Sequence, residues 1–264
     1  MYETVELERR GAAALIRLNR PDALNAGNHQ LGIELLDAVG SVAADDEVRA
    51  VCVTGSGRAF SSGADLRDLT ARDRTADGQI DVQTTLTTIY HPILTTLRRM
   101  PKPVVAAING PAVGIGCSLA LTCDLLLAAE SAYMLLAFVN IGLVPDGGAL
   151  ALMSARAGAG RAIQMAMLGE RVAAADLLRA GLVDAVLPDD EFHDGVLATL
   201  DRLATGPTQS YAGSKRQVNA WTYADLEAQL ELEASIQQEM AHSADFREGV
   251  AAFLAKRPPN FCGR

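Results

Sequence analysis

The stretch Asn109-Gly110-Pro111-Ala112-Val113-Gly114-Ile115-Gly116-Cys117-Ser118 decides how this chain is read. It follows the apolar run Val104–Ile108 and precedes a helix-compatible run over residues 119–123. A strand, a glycine-rich turn and a helix together present bare backbone N–H groups to an oxygen that gains negative charge. A second such stretch lies upstream, where Val51-Cys52-Val53-Thr54-Gly55 leads to Phe60-Ser61-Ser62-Gly63-Ala64-Asp65-Leu66. Two turns, each able to donate one N–H, suggest an oxyanion hole and therefore an enzyme.

Outward from these turns, short apolar strands alternate with helices. Residues 4–8 and 12–18 read as a hairpin, and residues 28–44 as a helix with one apolar stripe. Strands are expected at 48–54, 104–108 and 124–129, and helices at 82–99 and 115–122. Apolar strands without alternation imply a sheet covered on both faces. The polar stretch 67–79 reads as a mobile loop. From Gly160 the pattern turns helical, interrupted by one strand at 182–187. Thr205-Gly206-Pro207 marks the expected boundary between a mixed core, 1–204, and a helical region, 205–264. Isolated helices are marginal in water, so this tail must pack on the core or on another subunit. Subunit packing is the preferred expectation.

The chain has 264 residues, 49% of them hydrophobic, enough to bury a large core without staples. Its net charge of -9 and lack of basic blocks argue against nucleic acid or an anionic membrane as partner. Residues 104–123 are uncharged and about membrane-spanning in length, yet Asn109-Gly110-Pro111 breaks them, so they read as strand, turn and buried helix. The four cysteines show no CxxC spacing and the four histidines are scattered, which argues for a reduced cytoplasmic protein without a metal site. The histidines are assigned to surface or packing.

Nucleotide motifs fail on spacing. Gly114 and Gly116 are followed by Leu119 where a dinucleotide fingerprint needs Gly or Ala, and no GxxxxGK[ST] or GxSxG occurs.

Several segments, in order, resemble the crotonase, or enoyl-CoA hydratase/isomerase, superfamily. They are Arg20-Pro21-Asp22-Ala23-Leu24-Asn25-Ala26, Phe60 to Leu66, and Pro101-Lys102-Pro103 running on to Gly110. Gly114 to Cys117, Cys123-Asp124-Leu125, Ile141-Gly142-Leu143-Val144-Pro145-Asp146-Gly147-Gly148 and Arg257-Pro258-Pro259-Asn260-Phe261 complete the set. The resemblance implies an α/β fold: a crotonase-like ββα spiral core with a helical C-terminal trimerisation region, as a homotrimer or a dimer of trimers. It implies an acyl-CoA thioester substrate, coenzyme A being part of the substrate rather than a separate cofactor. The thioester oxygen would sit between the N–H groups of Ala64 and Ile115, the latter where glycine is commoner. Gly63 and Gly114 would shape the two turns. Ala23, Leu24, Ser62, Asp65 and Leu66 would line the path of adenine and pantetheine, and Lys256 would meet a CoA phosphate.

Hydratases of this family add water with two glutamates, whose places here are taken by Ser118 and Phe138. Neither is a base, and Phe138 would dry the site. Ser118 reads as a packing residue rather than a nucleophile. Asp146 remains, opening a turn before a helix, where some double-bond-shifting members carry a lone acid. It reads either as base or as helix N-cap. The helix would favour its charged form and an apolar wall its neutral form. Asp65 and Asp124 match structural positions. The expected activity is double-bond isomerisation of an enoyl-CoA. The alternatives are hydration or another crotonase-type reaction through a carboxylate such as one in residues 67–81, or acyl-CoA binding without catalysis.

Overall fold

In the computed structural model, which describes residues 2–72, 74–76 and 78–264, apolar strands set the frame. Strands β1 (Val5–Arg10) and β2 (Ala13–Leu18) form the antiparallel hairpin, and α1 (His29–Ala44) follows, its N-cap Asn28 accepting the Leu31 N–H at 3.0 Å. After α1 come β3 (Ala50–Gly55) and α2 (Leu66–Arg72). Helix α3 (Val82–Thr85) runs through a π-helical segment, Leu86–Tyr90, into α4 (His91–Arg99).

Two turns of a ββα spiral then appear. The first is β4 (Val104–Ile108), β5 (Pro111–Val113) and α5 (Ile115–Thr122). The second is β6 (Leu125–Ala129), β7 (Tyr133–Leu135), a 3-10 turn at Ala137–Ile141, and α6 (Ala149–Ala157). The chain continues with α7 (Ala159–Leu168), β8 (Val172–Ala173), α8 (Ala174–Arg179) and β9 (Ala185–Leu187). It closes with α9 (Phe192–Thr205), α10 (Thr208–Thr222), α11 (Leu226–Ala241) and α12 (Ala244–Leu254).

Among the described residues the first strands of each turn join one six-stranded sheet, ordered β1-β2-β3-β4-β6-β9 and parallel from β2 onward. The second strands join a smaller sheet, β5-β7-β8. Every residue of β4 is buried, as a strand covered on both faces requires. The uncharged stretch 104–123 is thus β4, β5 and α5, and no helix among the described residues is long and apolar enough to cross a membrane.

One sequence expectation is corrected. Residues 66–72 are helical rather than a mobile loop, because the Asp65 carboxylate accepts the Arg67 N–H at 3.3 Å and is itself held by Arg20 at 3.1 Å. Asp73 and Asp77 of that stretch lie outside the described residues. The C-terminal helices pack on the chain's own core: α11 lies across α3 and the π-helical segment, and α12 lies on the Ala137–Ile141 turn. Lys215 of α10 is buried, its Nζ donating to the Leu97 carbonyl at 2.8 Å and pairing with Asp124 at 2.8 Å.

Candidate active site

The two glycine turns run side by side. Ser61 N–H donates to the Pro111 carbonyl at 3.0 Å and Val113 N–H to the Ser61 carbonyl at 2.9 Å, a parallel bridge that pairs Ser61 with Ala112. Two residues on, Gly63 and Gly114 lie against each other, a Cβ on Gly114 coming 3.8 Å from the Gly63 Cα, and Ala64 and Ile115 follow them in their segments. Gly63 and Gly114 carry the chains past each other with φ of +93° and +54°, and a Cβ on Gly63 would come 3.0 Å from the Val113 carbonyl oxygen. Gly116 abuts Ser61 so closely that a Cβ there would lie 2.8 Å from the Ser61 Cβ. Among the described residues the Ala64 and Ile115 amides donate to no other group. Ile115 opens α5, so its N–H also carries the positive end of that helix.

A cavity of about 430 Å³ opens in front of these amides, and Gly63, Ala64, Gly114 and Ile115 form part of its wall. Leu66 and Leu69 of α2, Leu86 and Tyr90 of the π-helical segment, and Phe253 of α12 make most of the remaining surface apolar. Phe138 is 7% exposed and stands over Gly114, its ring tip 3.7 Å from where a Gly114 Cβ would be. The Ile115 side chain turns toward Gly147, whose added Cβ would meet its Cδ1 at 2.6 Å.

Asp146 reaches the same cavity from the far side. It is 8% exposed, and it does not cap a helix: α6 starts after Gly148, which has no side-chain cap. The N-cap reading therefore falls. Its Oδ2 accepts from Gln237 Nε2 at 2.8 Å, and its carbonyl accepts from Ser118 Oγ at 2.6 Å. Its Oδ1 is buried and has no partner. Burial raises the Asp146 carboxyl to about 7, only partly offset by the Gln237 bond.

The remaining expected residues lie around this wall. Ser62 lines the cavity, its N–H donating to the Leu24 carbonyl at 2.9 Å and its Oγ to the Ala23 carbonyl at 3.3 Å. Ala23 and Leu24 thus sit behind Ser62, and Asp65 is turned to Arg20. Lys256 is exposed, in the left-handed region at φ +52°, while its neighbour Arg257 lines the cavity mouth, paired with Glu248 at 2.6 Å. Asp68 and Asp81, in the segment read as a source of an alternative base, are occupied: Asp68 accepts the His29 N–H and Asp81 caps α3, both at 2.9 Å.

Sequence reasoning missed two residues of α11. Glu233 and Gln237 hold the turn that carries Asp146. Glu233 accepts the Gly148 N–H at 2.7 Å, and Gln237 accepts the Val144 N–H at 3.0 Å. Their i, i+4 spacing was visible, but a glutamate in a charged amphipathic helix gives no sign that it is turned inward. A larger groove of about 1280 Å³ lies by α10, away from the amides. Its Lys102 is committed to the carbonyls of Val42 and Asp45, at 3.0 and 2.9 Å.

The comparisons agree with this geometry. The chain is 42% identical over 263 residues to a probable enoyl-CoA hydratase of Rhodobacter capsulatus, covering 100% of this chain and 99% of that one. It is 38% identical to 1,2-epoxyphenylacetyl-CoA isomerase of Escherichia coli, covering 94% of each. A crystal structure of an enoyl-CoA hydratase from Mycobacterium avium subsp. paratuberculosis superposes with a TM-score of 0.89 at 38% identity, covering 99% of this chain and 100% of that one. The profile of enoyl-CoA hydratase/isomerase matches residues 8–264, and with the paired turns and the ββα spiral it places this chain in the enoyl-CoA hydratase/isomerase, or crotonase, family.

Proposed function

We propose that the protein moves the double bond of an enoyl-CoA, with Asp146 as the base and the amides of Ala64 and Ile115 holding the enolate. The observation that carries this reading is that Asp146, whose buried Oδ1 has no partner, lines the cavity that also contains the two free amides. Asp146 takes a proton from C2 of a 3-enoyl-CoA. Negative charge then collects on the thioester oxygen, where the two N–H groups meet it without rearranging. Each such donor lowers the barrier by about 3 kcal/mol, or roughly 10²–10³ in rate. The same carboxyl returns the proton at C4, so one acid suffices and no water is consumed. Ser118 and Phe138 stand where a hydratase needs carboxylates, and Phe138 keeps the region dry. Among relatives, a probable hydratase and an epoxyphenylacetyl-CoA isomerase both occur, so the choice between reactions rests on these residues.

The test is conversion of 3-enoyl-CoA to 2-enoyl-CoA, followed beside hydration of crotonyl-CoA. Isomerisation is expected, with hydration near background. Hydration as the faster reaction would overturn the proposal, and tight CoA-ester binding with no turnover on either substrate would favour a binding role. Asp146→Ala is expected to reduce isomerisation by about 10²–10⁴.

A further inference from the structure

Helix α11 meets the turn that carries Asp146 at two points. Gln237 bonds the Val144 N–H with its Oε1 and Asp146 Oδ2 with its Nε2. One helical turn earlier, Glu233 places both carboxylate oxygens on the Gly148 N–H, at 2.7 and 3.0 Å, and the Gly147 N–H also donates to it. The turn is thus gripped on either side of Asp146 by side chains four residues apart on one helix face. Gly147 and Gly148 have φ of +62° and +74°, and both are packed against neighbouring side chains, so the turn has little room to settle elsewhere.

Glu233 does not line the cavity, and among the described residues no lysine or arginine pairs with it. The nearest candidate is His91 at the start of α4, whose Nε2 lies 3.7 Å from Glu233 Oε1 and has no hydrogen-bond partner. That separation is too long for a hydrogen bond. Burial lowers His91 to about 4, so it is neutral in the working range. From the π-helical segment the facing titratable group is Tyr90, a buried phenol that burial and the charge of Asp146 hold in its neutral form. Glu233 is therefore held on the backbone one and two residues beyond Asp146, near enough to feel its charge, with no cation paired to either carboxyl among the described residues.

We propose, resting on the reading of Asp146 as the base, that Glu233 is a positioning residue that aims Asp146 through the Gly147 and Gly148 amides and shares its titration. Burial raises Glu233 to about 8, with the charge of Asp146 pushing the same way. Two carboxyls coupled by charge in this way release their protons in steps that belong to the pair. Ionisation of the second carboxyl is opposed by the first, and either one can modulate the other's basicity.

The experiment compares the wild type with Glu233→Gln and Glu233→Ala, by carboxyl ¹³C NMR titration and by steady-state kinetics on 3-enoyl-CoA. In the wild type the Asp146 carboxyl resonance is expected to titrate in two steps. In Glu233→Gln, which keeps an oxygen for the Gly148 N–H and removes the charge, it is expected to titrate in one. Glu233→Ala frees the turn and is expected to lower kcat about 10-fold or more, with KM changed less than threefold, and Gln is expected to restore much of that loss. A single-step Asp146 titration in the wild type, unchanged by Gln, would overturn the shared titration. Unaltered kcat in folded Glu233→Ala would overturn the positioning role. Full isomerase turnover in Asp146→Ala would defeat the assignment of the base instead, without touching the NMR result.

Discussion

Asp146 works against the fold that contains it. Its carboxyl is raised to about 7 by burial, whereas in the unfolded chain an aspartate titrates near the ordinary value of about 4. Between those two values the native state keeps a proton that the unfolded chain has lost. Native stability from this group therefore falls as pH rises through that window, by on the order of 3–4 kcal/mol across it. Asp146→Asn removes the effect but places an amide donor where Oδ1 has no partner, a cost of about 1–3 kcal/mol. The Tm of the variant relative to wild type is thus expected to climb from about pH 4 to about pH 7 and to level off above that. A difference independent of pH, by thermal unfolding, would mean the carboxyl is not raised. In the wild type, kcat/KM should increase with pH and level off above about 7, because the base must be ionised. At this scale the glycine turns before Ala64 and Ile115 were legible in the sequence, and Asp146 was singled out through the family resemblance. Glu233 and Gln237 were not legible, because their inward direction depends on how α11 lies over the core.

At the scale of elements, α5 is aligned by what cannot fit beside it. Gly116 sits against Ser61, and Gly147 sits against Ile115 Cδ1 and Ser118 Cβ, at 2.6 and 2.7 Å from the Cβ each would carry. Gly116→Ala is expected to push the segment of Ala64 away from α5, parting the two amides, with kcat down by about 10² or more and stability down by about 1–3 kcal/mol. Kinetics and chemical denaturation read both, and an alanine variant with native kcat would show that the two turns have slack. Strand β4, helix α5 and strand β6 were legible because long apolar runs flank a glycine turn. Strands β5, β7 and β8 were not: each has three residues or fewer, too short for any period, and forms only because the spiral stacks one turn on the last. Helix α2 was read as a loop because its polar residues hide a cap at Asp65.

For the whole molecule, the cavity is closed by parts far apart in the chain. Gly249 of α12 lies against the Ile141 backbone, 2.6 Å from where a Cβ would be, and brings Phe253 to the cavity and Arg257 to its mouth. Gly249→Val is expected to lift α12 from the Ala137–Ile141 turn and raise KM about 10-fold or more, with a smaller effect on kcat. Equal KM in the variant, by steady-state kinetics on 3-enoyl-CoA, would mean that α12 does not form the binding wall. Ser118→Ala, by contrast, removes one bond to the Asp146 carbonyl and should cost about 1 kcal/mol of stability.

The family resemblance supplied the reading of Ser118 and Phe138 as replacements of two glutamates; the sequence by itself determined the long apolar strands, the main helices and the two glycine turns. Those are properties of neighbouring residues, where glycine spacing and apolar runs act locally. Only the tertiary structure decided that the turns lie in register and that Asp146 is buried rather than capping α6. It also decided that a helix 85 residues later than Gly148 holds the turn. Burial and register exist only once distant segments pack, because the energies that raise a carboxyl or fix an amide come from neighbours in space.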